Sequence, residues 1–338
     1  MSPPCARWSR KRPMKPVEVS LEQVLLAREN RAGRQQRLLA QYGLPLISFT
    51  MNMAGPVKDT PLSRFAFQAG VAALTKRLGG PVSCCLTEAV TGCEALLVYD
   101  RPAQALKDVC MELESTEVGR LYDLDVLDAA GEKLSRPEMR RCLVCGGPVA
   151  VCSRSRAHGL DAICAETARR LAEFACTTLG NLAADALREE AALSPKPGLV
   201  DARTNGAHTD MDLLLMLRSA ETLRPWFCRM VRLGLDGAAP AQLQNAGRQA
   251  EAQMLQATGG VNTHKGALYA LSLLLAAMGR HLSGAQDHAL NWAAQNVSQF
   301  MAALENCNFQ CKLPGVGREA RVRLLAREIC VHSELLLS

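Results

Sequence analysis

The chain has 338 residues, 48% of them hydrophobic and 4% aromatic, with a net charge of +6. That length suggests about two domains with aliphatic cores. No run of about 18 apolar residues occurs, which excludes a membrane-spanning helix, and the few aromatics leave little to stack nucleic-acid bases. The mild positive charge suits phosphorylated small molecules better than a membrane or a nucleic acid. Basic residues near the N-terminus precede no apolar h-region, so the fourteen cysteines are expected to be reduced thiols in a cytoplasmic chain.

Residues 1–16 are rich in Pro, Arg, Lys and Ser and are expected to form a disordered tail, within which Met14 could serve as the start. Val17 to Tyr42 reads as a helix, opened by a Ser20/Gln23 capping box. Leu44 to Thr50 is strand-like. MNMAGPVKD then breaks the chain and carries Asn52 and Lys58. A helix over Phe65–Leu78, strand-like segments between Cys84 and Tyr99 divided at Thr91-Gly92, and a helix over Pro102–Leu113 follow.

GRLYDLDVLDAAG comes next, with Arg120 at its start. Strict alternation predicts a strand that points Asp123, Asp125 and Leu127 to one face, and Ala-Ala-Gly then turns the chain. Two carboxylates side by side repel each other unless a cation lies between them, as Mg²⁺ does in polyphosphate chemistry. A solvated strand face is the other reading. Cys142 and Cys145 form a C-x₂-C pair, closed by Gly146-Gly147. Cys152 and His158 could complete a Cys₃His zinc site, or the cysteines could be reduced thiols packing a small subdomain. Arg140, Arg141, Arg154 and Arg156 make the same segment basic and able to meet phosphates.

From Asp161 apolar residues recur at helical spacing to residue 192, and the domain boundary is expected near Leu160. The loop SPKPGLVDARTNGAHTDMD, from Ser194 to Asp212, follows. Pro195 and Pro197 forbid helix, and Gly198 and Gly206 permit tight turns. Asp201, His208, Asp210 and Asp212 then gather ahead of an apolar run, a pattern suited to metal and phosphate chemistry. A simpler account of Asp212 is a capping box with Thr209. Helices are expected over about 210–231 and 240–256. In ATGGVNTHKGAL a Gly pair leads to Asn262 or Thr263 as a cap, with His264 and Lys265 in the first turn of a helix. Free N–H groups beside a lysine can hold an anion. His281, His288, His332, Cys307 and Cys311 suggest no chemistry.

The loop and TGGVNTHKGAL together closely resemble the family that makes 2'-(5''-triphosphoribosyl)-3'-dephospho-CoA from ATP and 3'-dephospho-CoA. MNMAGPVK, GRLYDLDVLD and RRCLVCGGPVAVCSRSRAH resemble the transferase family that attaches the resulting prosthetic group to apo-citrate lyase. The chain is therefore identified as a fusion, similar to the transferase over about 17–160 and to the synthase over 161–300. Its end at Ser338 is expected to leave the synthase domain, 161–338, incomplete, so that an active transferase joined to a synthase remnant is the alternative. The resemblance implies an N-terminal α/β domain with a nucleotidyltransferase-like mixed sheet and an all-α C-terminal bundle. It implies two transferase activities, with Mg²⁺, ATP and dephospho-CoA in the first and the acyl carrier subunit of citrate lyase as acceptor in the second. Asp201, Asp210 and Asp212 would share metal and base roles. Lys196, His264 and Lys265 would hold phosphates, with Asn262 beside them, and His208 would orient or move a proton. In the transferase, Asp123 and Asp125 would hold Mg²⁺, Lys58 or Arg120 would meet the charge, and Asn52 would fix the substrate. A rival from another class is a non-enzymatic zinc-knuckle module on a helical scaffold.

Overall fold

The computed structural model describes residues 16–136 and 139–285. The expectations for the tail before Pro16 and for His288, His332, Cys307 and Cys311 lie outside them. The chain divides into two compact units between Phe174 and Ala175. The division falls fourteen residues beyond the expected boundary at Leu160, inside one continuous helix, Leu160–Ala192.

In the first unit α1 (Leu21–Tyr42) is opened by the expected capping box: Gln23 N–H donates to Ser20 Oγ at 3.2 Å and Ser20 N–H to Gln23 Oε1 at 2.8 Å. Then come β1 (Leu46–Met51), α2 (Pro61–Leu78), β2 (Ser83–Ala89), β3 (Gly92–Val98), α3 (Ala103–Glu114), a 3-10 turn at Gly119–Leu121 and β4 (Tyr122–Leu127). The sheet order is β2-β3-β1-β4, and all three pairings are antiparallel. This corrects the mixed sheet of the nucleotidyltransferase-like expectation. The helical crossovers α2 and α3 do join parallel strands, but β3 separates β1 from β2 and β1 separates β3 from β4. The parallel strands therefore never pair, which is the split β-α-β arrangement.

One face of the sheet packs on α2 and α3 through Ile47, Phe49, Leu97, Leu124 and Val126. Phe49 stacks on Phe67 at 4.6 Å and meets Tyr122 edge-on at 5.0 Å. A Cβ on Gly70 would come 2.6 Å from the Phe49 ring, so α2 can lie this close only because it has glycine there. The opposite face carries Leu46, Leu96 and Val98 against Leu38, Leu39 and Tyr42 at the end of α1. After β4 the chain forms α4 (Val149–Ser155) and enters α5 (Leu160–Ala192).

The second unit holds the rest of α5 with α6 (Leu213–Leu235), α7 (Pro240–Ala257) and α8 (Lys265–Leu282), the helical architecture the sequence predicts. α6 and α8 approach closely. A Cβ on Gly234 would lie 2.0 Å from the Ala276 carbonyl oxygen, and one on Gly279 would lie 2.2 Å from that of Val231. Leu223, Phe227, Met230, Leu271 and Leu275 are buried in this unit. Arg224 of α6 ties to Asp185 and Asn181 of α5 at 2.8 and 3.1 Å, and Trp226 Nε1 donates to Gln253 of α7 at 2.8 Å.

Candidate functional site

β4 presents its carboxylates as the alternation predicts: Tyr122, Leu124 and Val126 are buried, while Asp123, Asp125 and Leu127 are partly open on the other face. Across β1, Thr50 stands opposite Asp123 and Ser48 opposite Asp125. Thr50 also stands opposite Glu94 of β3. Directly opposed residues share a face, so Glu94 belongs to the same acidic surface, two strands or about 10 Å from Asp123. Glu94 is buried and bound by Arg31, at 2.7 Å, and Arg34 of α1. Sequence reading missed all three. The available signal was a single carboxylate inside the apolar strand GCEALLV.

Cations face these acids. Arg140 Nη2 donates to Asp123 Oδ1 at 3.1 Å, to Glu114 Oε1 at 2.6 Å and to the Tyr122 carbonyl at 2.9 Å. Lys133 pairs with Asp125 at 2.7 Å. Arg136 also binds Glu114, whose Oε1 caps the Leu124 N–H at 3.1 Å. Arg120 donates to the Arg141 carbonyl, and burial together with Arg140, Arg170, Arg136 and Arg141 pushes its pKa down. Like charges crowded in this way are stabilised by a polyanion. Asn52 is exposed just past β1, its N–H donating to the Leu121 carbonyl at 2.7 Å. Lys58 folds back onto the Met53 carbonyl at 2.6 Å and braces the MNMAGPVKD loop, and burial lowers its pKa.

Beyond the strand, Cys142, Cys145, Cys152 and His158 converge, with their ligand atoms all within 4.8 Å of one another. Cys142 N–H donates to the Gly147 carbonyl at 2.6 Å and Gly146 N–H to the Cys142 carbonyl at 3.0 Å, with Gly146 at φ 71°. The backbone N–H of Cys145 holds the Cys142 thiol below its usual range, while the side chain of Cys145 pushes Cys152 up to about 11.

In the second unit the Asp-rich loop is organised around Asp201. Its Oδ1 accepts from the N–H groups of Arg203, at 2.7 Å, and Thr204, at 2.8 Å. Its Oδ2 accepts from Lys196 N–H at 2.8 Å and Ser194 Oγ at 3.1 Å. These donors, Lys196 N–H first, hold its carboxyl far below the ordinary range. Asp201 thus braces the loop. Gly206 closes it at φ 60°, where a Cβ would lie 2.4 Å from Gly198 and Leu199 backbone atoms.

Lys196 is buried, its ammonium on the Glu190 carbonyl at 2.6 Å. His264 is buried too, its Nδ1 2.9 Å from Ser219 Oγ, and Thr263 Oγ1 donates to that same oxygen at 2.6 Å. When Ser219 gives its own proton to Nδ1, the proton of the neutral ring sits on Nε2. Nε2 is buried and meets no partner among the described residues. Burial, with Lys196 nearby, lowers the His264 pKa to about 4.

The loop and the α8 N-terminus thus bring Lys196, Asp201 and His264 into one buried neighbourhood. Ser219, which sequence reading missed, belongs to it; a small polar residue in an apolar helix stripe was the only sign. Lys265 turns away and pairs with Glu251 at 2.7 Å, and Asn262 Oδ1 caps the Lys265 N–H at 3.2 Å. His208 and the exposed Asp210 lie 3.7 Å apart. Asp212 is a helix cap, though not through Thr209: it is itself the N-cap of α6, accepting from Leu215 N–H at 2.8 Å.

One unit thus carries an acid strand flanked by arginines, and the other a buried lysine–histidine pair. The first half matches the family described as apo-citrate lyase phosphoribosyl-dephospho-CoA transferase over residues 19–174, and the second half ATP:dephospho-CoA triphosphoribosyl transferase over 176–327. Both matches extend past the limits of 160 and 300 drawn from the motifs. Protein CitXG of Haemophilus influenzae is 37% identical over 92% of this chain and 71% of its own length. A 2-(5''-triphosphoribosyl)-3'-dephosphocoenzyme-A synthase of Haemophilus ducreyi is 38% identical over 46% of this chain and 50% of its length. A probable apo-citrate lyase phosphoribosyl-dephospho-CoA transferase of Vibrio cholerae is 38% identical over 47% of this chain and 96% of its length. The chain belongs to the CitXG family, in which transferase and synthase domains share one polypeptide. It spans half the length of the Haemophilus ducreyi synthase.

Proposed function

We propose that the chain makes the citrate lyase prosthetic group and attaches it, acting in the cytoplasm where ATP and dephospho-CoA are supplied. In the synthase step the ribose 2'-hydroxyl of 3'-dephospho-CoA attacks C1 of the ATP ribose. The new C–O bond replaces the bond to adenine, and the hydroxyl proton leaves. In the transferase step a serine hydroxyl of the acyl carrier subunit attacks the inner phosphorus of the product's triphosphate, and pyrophosphate departs. The observation that carries this reading is that each unit holds its own cationic site under its own family match, Arg120 and Arg140 in the first and Lys196 with His264 in the second.

Oxygen donors suit Mg²⁺ in both units. Asp123 and Asp125 would hold it on β4, and Asp210 and Asp212 at the start of α6. When bound, it would neutralise polyphosphate charge and ease departure of the leaving group. The protein's own part is positioning. Arg140 fixes Asp123, and Arg120 offers positive charge to the triphosphate. His264 offers an N–H donor to an anion, and Lys196 sets the charge beside it. Asp201 holds the loop so that Lys196 stays there, and half-buried His208, 3.7 Å from Asp210, is placed to move a proton.

The test is a mass spectrum of apo acyl carrier subunit incubated with the protein, Mg²⁺, ATP and dephospho-CoA. Addition of the phosphoribosyl-dephospho-CoA group is expected. Addition only when ready-made triphosphoribosyl-dephospho-CoA is supplied would confine activity to the first unit. No addition in either case would overturn the reading.

A further inference from the structure

The roles proposed above leave the three thiols and the imidazole beyond β4 unused. We infer that Cys142, Cys145, Cys152 and His158 form a structural Zn²⁺ site of the Cys₃His type in the transferase domain. The ligand types and the C-x₂-C knuckle are those of closed, four-ligand zinc sites. The geometry agrees. A tetrahedral ion with bonds near 2.3 Å sets its ligand atoms about 3.8 Å apart, and here all four lie within 4.8 Å of one another, with the Cys145 and Cys152 sulfurs at 3.4 Å.

Two further observations point to an ion at this place. His158 Nε2 is buried and has no hydrogen-bond partner among the described residues, as a nitrogen waiting for a metal would be. The chain also takes a strained route to bring it there. α4 ends at Ser155 and is capped by Arg156, a non-glycine residue at φ 48°, where the backbone turns ahead of His158. Three thiolates on Zn²⁺ carry a net charge of −1, and Arg140, Arg141, Arg154 and Arg156 surround that charge in sequence. Binding would release the three thiol protons to solvent.

The site would stiffen the loop on which the transferase cations rest. Arg120 donates to the Arg141 carbonyl and Arg170 to that of Leu143, on either side of Cys142. Arg140, which holds Asp123, is hydrogen-bonded through its carbonyl to Val149 N–H at the start of α4.

The experiment is metal analysis of the full chain purified under reductant without chelator, followed by exchange of the metal for Co²⁺. About one Zn²⁺ per chain is expected. The Co²⁺ form should show sulfur-to-cobalt charge transfer and the intense visible bands of a tetrahedral ion. Cys145→Ser with Cys152→Ser should lose both signals, Cys85→Ser outside the cluster should keep them, and His158→Cys should keep the metal while shifting the Co²⁺ bands. The inference is overturned by less than a tenth of an equivalent of Zn²⁺ in wild-type chain that takes up no tetrahedral Co²⁺. An adventitious ion only, meaning metal that survives the double substitution or shows octahedral bands, overturns it too. None of these readings depends on either catalytic activity, so they stand whether or not the proposed reactions are found.

Discussion

His264 shows how one side chain can couple the stability of the second unit to pH. Burial and Lys196 hold its pKa near 4, against 6.5 for an ordinary histidine. Between those values the unfolded chain binds a proton that the folded chain refuses. Stability is therefore full above about pH 6.5 and is lost as pH falls towards 4, by on the order of 3 kcal/mol for complete protonation. His264→Gln should remove that part of the slope, read as thermal midpoints from pH 7 to 4; an unchanged slope would show that the ring is not a buried neutral group. Asp123 is the residue to test in the other unit. Asn keeps its size and its bond to Arg140 but removes the charge, so Asp123→Asn should lower pyrophosphate release from ready-made triphosphoribosyl-dephospho-CoA by about 10²-fold or more. Release at the wild-type rate would remove Asp123 from the mechanism. Both residues were legible in the sequence, one through period-two alternation and the other through a Gly-Gly turn before a helix. Glu94 and Ser219 were not, because each sits in a run whose apolar pattern signals only burial, and only tertiary pairing reveals its partners.

At the scale of elements, the proposed synthase site depends on how closely α6 and α8 approach, since Ser219 lies on the first and His264 at the head of the second. Gly234 and Gly279 allow that approach, each facing a backbone carbonyl of the other helix. A methyl group at Gly279 cannot be relieved by a rotamer change, because the obstacle at 2.2 Å is the Val231 carbonyl oxygen. Gly279→Ala should force the helices apart, cost about 1–3 kcal/mol and reduce adenine release from ATP more than it reduces transfer from ready-made donor. Wild-type stability in chemical denaturation would refute the close packing. Helix faces and the strand of paired aspartates could be read from periodicity because a single period fixes which side is buried. Sheet order could not. The antiparallel arrangement arises when β1 and β3 insert between strands that the crossover helices had made parallel, and no local pattern records an insertion.

The two compact units divide within α5, where the helical repeat continues across Phe174 and Ala175 without a break, so no change of composition marks that division. If each unit carries its own site, damage to one should spare the other. Asp123→Asn should still release adenine from ATP and dephospho-CoA, while failing to modify the carrier. Lys196→Ala loses the buried ammonium beside His264 and leaves the Glu190 carbonyl without its donor. It should fail to release adenine yet modify the carrier normally from ready-made triphosphoribosyl-dephospho-CoA. Neither variant alone should modify the carrier from ATP. Mixed in one tube they should, because the intermediate made by the first can diffuse to the second. The mass of the carrier subunit reads each case. A mixture that stays inactive while both half-reactions run would mean that the intermediate does not leave the chain that made it. Loss of both half-reactions in either variant would mean that the two units do not function separately, and the assignment of one site to each would fall.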